Sequence, residues 1–310
     1  MTGWGLGDIP DQSGRSAVVT GANSGIGYVT ARELARRGAH VVLACRNAAR
    51  GDQALGRLRA EVPTARAEVR PLDLADQKSV RAFAAGLRED GQRPLDLLIN
   101  NAGVMALPRR RTPDGFETQF ATNHLGHFAL TGLLLPTLLA APGARVVTVS
   151  SAFHLLADVD LGDLNSERRH RPWVSYARSK SANLLFTHEL SRRLTRAGSQ
   201  VTAVAAHAGY AATNLQTAGA RMDGRRAAER LMTFSNRLFA QSAYRGALPT
   251  LYAATAPDMA PDSYIGPRTG LWGAPASSFR ARRTSNDTTA GLLWTASEDL
   301  TGVHYDFTSP

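Results

Sequence analysis

Short apolar runs alternate along this chain with longer segments whose apolar residues fall at helical spacing. Residues 17–20, 41–44, 67–72, 95–99, 145–149 and 201–205 are such runs, and 263–266 is a candidate seventh. Continuous apolar runs of this length suit parallel strands buried on both faces. Between them, residues 25–37, 76–88, 116–139 and 176–196 have helical length. Residues 287–297 read as a terminal helix begun by Asn286 or Asp287. The alternation predicts an α/β fold: a Rossmann-type, doubly wound, mainly parallel seven-stranded sheet with helices on both faces. No internal repeat and no Pro/Gly/Ser linker splits the pattern, so residues 1–310 read as one domain, with 1–14 as an N-terminal extension. The pattern loosens over 210–245, where Leu231, Met232, Phe234, Leu238 and Phe239 suit a helical flap over a site.

Composition narrows the picture. With 43% hydrophobic and 20% charged residues among 310, the chain is globular. A single cysteine, Cys45, excludes an internal disulfide framework, and no Cys/His cluster has zinc-site spacing. A reducing, cytoplasmic setting follows as the expectation. No apolar run is long enough for a spanning helix, and MTGWGLGDIP lacks the basic start and apolar stretch of a signal peptide. Lysine and arginine number 36 against 26 acids, a net charge of +10. Only Lys78 and Lys180 are lysines, and the arginines are scattered without interleaved aromatics. That arrangement predicts solvated helix faces and no nucleic-acid partner.

Three motifs carry candidate chemistry. Thr20-Gly21-Ala22-Asn23-Ser24-Gly25-Ile26-Gly27 follows a strand and opens a helix. Glycines there allow a tight turn and close approach of backbone to a pyrophosphate, and the new helix offers its free N–H groups to that anion. The strand end Val41-Val42-Leu43-Ala44-Cys45-Arg46-Asn47 has no acid to grip a ribose 2′-hydroxyl, and Arg46 suits a 2′-phosphate, so NADP is the expected cofactor. Tyr176 and Lys180, four apart, share one helix face. A cation near a phenol favours the phenolate, as an acid/base group needs. Ser150 and Ser151 end the fifth strand and Asn123 lies in the helix before it, so all converge beyond the carboxyl ends of the strands.

These residues resemble the short-chain dehydrogenase/reductases. TGANSGIG, LINNAG (98–103), VTVSS and YARSK arrive in that family's order, and the likeness runs over residues 15–303. LACRN, TNHLGHF (122–128), VSSAFH (149–154), DLNSERR (163–169), SKSANLLFTHEL and LYAATAP (251–257) are similar to the retinol dehydrogenases, WW-domain oxidoreductases and protochlorophyllide reductase relatives. The resemblance implies Tyr176 as acid/base, with Lys180 as its pKa-lowering neighbour and a ribose contact. Ser151, as the second serine of the pair, would orient the substrate oxygen, and Asn123 would hold a relay water near Lys180. Cofactor contacts would come from the glycine turn, Arg46, Asn47, Asp73, Leu74, Asn101, Ala102, Gly103, Tyr176 and Lys180, with Thr213 at the carboxamide of the nicotinamide. Many relatives form dimers through the helices of Asn123 and Tyr176, while the subgroup also includes monomers, so both states are open.

The implied activity is NADP(H)-dependent interconversion of a carbonyl and an alcohol. The rivals are reduction of a C=C bond and a non-catalytic NADP-binding redox sensor. Phe153, Leu155, Leu156, Trp173, Tyr210, Leu231, Met232 and Phe234 supply an apolar pocket, which predicts a bulky hydrophobic small-molecule substrate. Ala208 replaces the family's proline after His207, Arg178 stands where glutamine is usual, and His170 replaces an aromatic. No metal site is expected: His124 and His127 lie three apart but lack a partner acid or cysteine, so they read as packing groups or as supports behind the site residues.

Overall fold

Eight strands form one sheet in the computed structural model, which describes residues 3–89, 94–209 and 242–308. The first seven are β1 (Ser16–Thr20), β2 (His40–Cys45), β3 (Arg66–Pro71), β4 (Leu97–Asn100), β5 (Arg145–Val149), β6 (Thr202–Ala206) and β7 (Tyr264–Pro267). They run parallel in the order β3-β2-β1-β4-β5-β6-β7. β8 (Pro275–Ser277) adds an antiparallel edge, so the expected count of seven is corrected to eight. Three residues, Pro-Ala-Ser, make no apolar run, which is why periodicity passes over them.

The apolar runs are continuous because alternate residues feed two cores. Ala17, Val19, Val41, Leu43 and Ile99 pack with α1 (Gly25–Arg36) and α6 (Ala243–Thr255). Val18, Val42, Leu98 and Val146 pack with α3 (Gln77–Glu89), α4 (Gly126–Leu139) and α5 (Pro172–Arg196). α2 (Ala48–Glu61) follows β2, and α7 (Asp287–Thr301) is the last helix of the described residues. The strand order reverses at β1, which pairs with both β2 and β4, and a ligand crevice forms beyond such a point.

Two helices differ from the sequence reading. The helix expected over 116–139 is a short turn, Thr118–Phe120, then a π turn, Ala121–Leu125, then α4. Asn123 sits in the π turn, a feature found often at functional sites. α5 begins four residues before Tyr176, with Pro172 in its first turn, where a missing N–H costs nothing. At α7 the Asn286 side chain accepts from Thr289 N at 2.9 Å, so Asn286 is the cap. Of the expected flap, only 242–245 is among the described residues, and it opens α6 under a Ser242 cap.

α7 and the residues after it lie across α4 and α5. The Trp294 ring stacks on Phe186 at 5.9 Å and meets Phe128 edge-on at 5.0 Å. The Tyr305 hydroxyl donates to the Phe128 carbonyl at 2.6 Å. Gly132 makes room, since a Cβ there would stand 2.6 Å from the Tyr305 ring.

α5 is also tied to the β7 side by a histidine. His188 Nδ1 donates to Asp262 at 2.6 Å, and Nε2 donates to Asp287 at 2.8 Å. Arg280 also binds Asp262, at 2.7 Å, and Arg192 binds Asp287, at 3.0 Å. The Asp262 hydrogen bond holds the His188 pKa above its ordinary value, against burial. A base with a raised folded pKa stabilises fully below its unfolded pKa, and that contribution is lost as pH rises through the folded pKa. His188→Gln should therefore lower the melting temperature more at pH 5.5 than at pH 9. Equal losses at the two pH values would contradict this ion-paired role.

Candidate active site

The glycine turn is built at the end of β1. Gly21 and Gly25 have φ of +66° and +58°, which favours glycine. A Cβ on Gly27 would run into Asn101 Nδ2 and lie 2.6 Å from the Gly21 carbonyl oxygen. Ser24 precedes α1 with no side-chain cap, so the opening N–H groups of α1 are left for an anion. Cys45 lies buried below the turn, and burial pushes its thiol up to about 11, so it is an inert packing group. Arg46 is exposed, with no polar partner among the described residues. Asn47 at the same corner caps α2, its oxygen accepting from Arg50 N at 2.9 Å.

The wall opposite comes from the ends of β3 and β4. Asp73 is half-buried and accepts from Ala75 N at 3.0 Å. Leu74 is buried, its carbonyl pressed against Gly126. Asn101 Nδ2 donates to the Thr20 carbonyl at 2.7 Å, and the Asn101 and Ala102 N–H groups each donate to Thr20 Oγ1 at 2.9 Å. Gly103 overlies the catalytic candidates: its Cβ would stand 3.1 Å from Asn123 Oδ1 and 3.6 Å from Lys180 Nζ.

Tyr176 and Lys180 share the inner face of α5, with Nζ 5.8 Å from the phenol ring centre. Ser151, not Ser150, is the serine that faces the Tyr176 hydroxyl. Ser150 is spent elsewhere, donating to the Lys180 carbonyl at 2.8 Å. Lys180 Nζ donates to the Val149 carbonyl at 3.0 Å. Phe153 meets the Tyr176 ring edge-on at 5.5 Å and stacks on Trp173 at 5.4 Å.

Electrostatics correct one expectation. Burial pushes the Tyr176 phenol up to about 12, and the Ser151 hydrogen bond only partly opposes it. Burial also pushes Lys180 down to about 8. Spacing alone suggested a phenol lowered by its cation, but desolvation wins. Tyr176 is thus a neutral proton donor at neutral pH.

Both ends of the Asn123 side-chain amide are engaged. Oδ1 accepts from Val104 N at 2.8 Å, while Nδ2 donates to the Val104 carbonyl and to Ser179 Oγ, each at 2.9 Å. The side chain thus braces segment 101–104 against α5. His154, which the sequence left without a role, donates from Nδ1 to the Ser151 carbonyl at 2.7 Å, and its Nε2 accepts from Ala281 N at 3.3 Å. It fixes the backbone of the serine, and VSSAFH was the available signal. His207 donates to Ser278 Oγ at 2.7 Å and accepts from Gly209 N at 3.2 Å, latching the end of β6 to the residue after β8. His124 binds Ser297 Oγ at 2.8 Å, and burial pushes its pKa down to about 3. Among the described residues no cluster of His, Cys, Asp or Glu suits a metal. Thr213, Tyr210, Leu231, Met232 and Phe234 lie outside the described residues.

Comparisons with known proteins agree with this geometry. Residues 15–223 match the family model of the short chain dehydrogenases. Retinol dehydrogenase 12 of Mus musculus is 42% identical over 298 residues, covering 94% of this chain and 88% of that protein. The polyprenol dehydrogenase of the same organism is 45% identical over 256 residues, covering 81% of this chain and 74% of that protein. The crystal structure of an uncharacterised protein from Mycobacterium paratuberculosis superposes with a TM-score of 0.81 at 47% identity, over 98% of this chain and 100% of that one. A glycine turn at a sheet switch point, Ser151 beside the Tyr176 hydroxyl with Lys180 behind it, and likeness along almost the full length place this chain in the short-chain dehydrogenase/reductase family, on its retinol dehydrogenase-like branch.

Proposed function

We propose that the protein is an NADP(H)-dependent oxidoreductase that interconverts a carbonyl and an alcohol on a bulky hydrophobic small molecule. The observation that carries this reading is the Tyr176 phenol, set beside Ser151 at the mouth of the crevice with the Lys180 ammonium behind it. The crevice fits a dinucleotide, because Gly21 and Gly25 turn the chain at positive φ at the end of β1, the missing Cβ of Gly27 lets α1 start close against that turn, and α1 starts without a side-chain cap. Gly21, Asn23, Ser24, Gly25, Ile26 and Gly27 would hold the pyrophosphate side, and 101–103 with Lys180 the ribose beside the reacting ring. A bound nicotinamide supplies or takes up the hydride at the carbonyl carbon.

The chain's own groups do the rest. Ser151 Oγ orients the substrate oxygen. Tyr176 donates its proton to that oxygen as negative charge develops there, and Lys180 stabilises the phenolate left behind. Tyr176 and Lys180 are buried and Ser151 is half-buried, so they act in a low dielectric with little reorganisation. In the alcohol direction the same proton returns to Tyr176.

Phe153 and Trp173 form an aromatic wall beside Tyr176, and Leu155 and Leu156 stand exposed next to it. The names of two relatives, retinol and polyprenol dehydrogenase, denote apolar alcohols and agree with such a wall. A panel of lipophilic and small polar carbonyls, followed by NADPH absorbance with product analysis, tests the reading. Alcohol products from the lipophilic members are expected. Turnover confined to small polar carbonyls defeats the substrate class, reduction at C=C defeats the reaction, and NADPH binding with no turnover favours a sensor.

Cofactor preference rests on Arg46, whose guanidinium is free to pair with a 2′-phosphate. NADPH should bind at least about tenfold tighter than NADH, a difference of about 1.4 kcal/mol. Arg46→Ala should weaken NADPH and leave NADH nearly unchanged in a calorimetric titration. Equal dissociation constants in the wild type would remove the NADP assignment.

A further inference from the structure

One buried polar chain joins the crevice to α5 without taking part in the proton transfer. His127, in the first turn of α4, is 1% exposed. Its Nδ1 lies 3.1 Å from the main-chain carbonyl of Asn123, a group that only accepts, so Nδ1 carries the proton. Nε2 is then a lone pair, 3.0 Å from Thr20 Oγ1, and the Thr20 hydroxyl donates to it. The same hydroxyl oxygen accepts from the N–H groups of Asn101 and Ala102, each at 2.9 Å. One proton out and two in saturate it. Burial pushes His127 down to about 4, and the charge of Lys180 pushes the same way, so the ring stays neutral.

The chain continues at its other end. Asn123 Nδ2 donates to Ser179 Oγ, and Ser179 Oγ donates at 2.7 Å to the carbonyl of Tyr176. We propose that His127 is a positioning residue: through Thr20 it fixes segment 101–103, the floor of the dinucleotide crevice, relative to the helix that carries Tyr176 and Lys180. The inference rests on the proposed dinucleotide reading and adds a determinant of cofactor affinity to it. Little slack exists at this floor, since a Cβ on Gly103 would already stand 3.1 Å from Asn123 Oδ1. An apolar side chain at position 127 removes the acceptor that aims the Thr20 hydroxyl. That proton then turns to the Ile99 carbonyl, at a longer 3.3 Å, and the lone pairs turn away from Asn101 and Ala102.

The test is titration of NADPH and NADH into the full-length wild type, His127→Leu, His127→Gln, Thr20→Val and the His127→Leu/Thr20→Val double variant, with melting temperatures recorded. His127→Leu and Thr20→Val should each weaken both dinucleotides by about tenfold or more. The double variant should be no worse than Thr20→Val alone, because both changes cut one path. His127→Gln, whose amide donates to Asn123 and accepts from Thr20, should recover most of the affinity. A His127→Leu variant that melts lower but binds both dinucleotides like the wild type overturns the inference, as do additive losses in the double variant. Should His127→Leu fail to fold, Thr20→Val with wild-type affinity overturns it instead. A wild type that binds neither dinucleotide overturns the proposed function together with this inference, whereas unchanged variants of a binding wild type overturn the inference alone.

Discussion

Tyr176→Phe should lose about 10²–10⁴-fold or more of turnover while keeping its fold and its affinity for NADPH. The substitution removes one oxygen and leaves the ring, so the edge contact with Phe153 at 5.5 Å survives. Ser151 loses a partner but keeps the N–H of Phe153 at 3.3 Å. What disappears is the proton for the developing alkoxide. The pH dependence should separate the two charged roles. Tyr176 stays protonated until about 12, whereas Lys180 gives up its proton near 8. Carbonyl reduction should therefore fall as pH rises through about 8, because a neutral amine no longer stabilises the phenolate. Stopped-flow reduction of a lipophilic ketone across pH 6–10 measures both effects. Wild-type rates in Tyr176→Phe would sink the mechanism.

Much of this site could be read from spacing, because its chemistry is carried by short local patterns. Gly21, Gly25 and Gly27 announce a turn wherever they occur between a strand and a helix. Tyr176 and Lys180 share a face because four residues make about one helical turn. Such patterns contain no burial, and burial sets the protonation of the site. The phenol is raised and the amine lowered by desolvation, so the cation lowering its neighbour, a sound inference for a wet helix face, did not hold inside. Asn123 shows the same limit. Its place in the chain gave its neighbourhood, but its amide was claimed by Val104 and Ser179, partners 19 and 56 positions away. The partners of His127 and His154 lay outside the sequence reading for that reason also. Each acts through a carbonyl or hydroxyl that only the tertiary fold brings near. The sheet was more legible, since a strand buried on both faces must be apolar throughout. β8, an edge of three residues, is bound by no such requirement.

The second large effect is expected far from the chemistry. Trp294→Ala should cost about 3–5 kcal/mol, the range for deleting a large buried aromatic side chain, and for a chain of this size lower the melting temperature by roughly 5–8 °C. Trp294 is 2% exposed and is the centre of an aromatic cluster, with Tyr305 at 4.4 Å, Phe128 at 5.0 Å and Phe186 at 5.9 Å. The Arg193 guanidinium covers its ring at 4.5 Å. The loss should exceed that of Trp294→Phe, because the indole Nε1 is buried without a hydrogen-bond partner and its removal returns part of the cost. The same cluster bears on assembly. α7 and Tyr305 cover the face of α4 and α5 that carries Phe128 and Phe186, which closes that face to a second copy, so the wild type should scatter light as a monomer. A dimeric mass would show that association uses another face. Thermal melts in which Trp294→Ala matches the wild type within a degree would mean that α7 is not held by its tryptophan, and the cover over α4 and α5 would then have to rest on Leu293, Val303 and Tyr305.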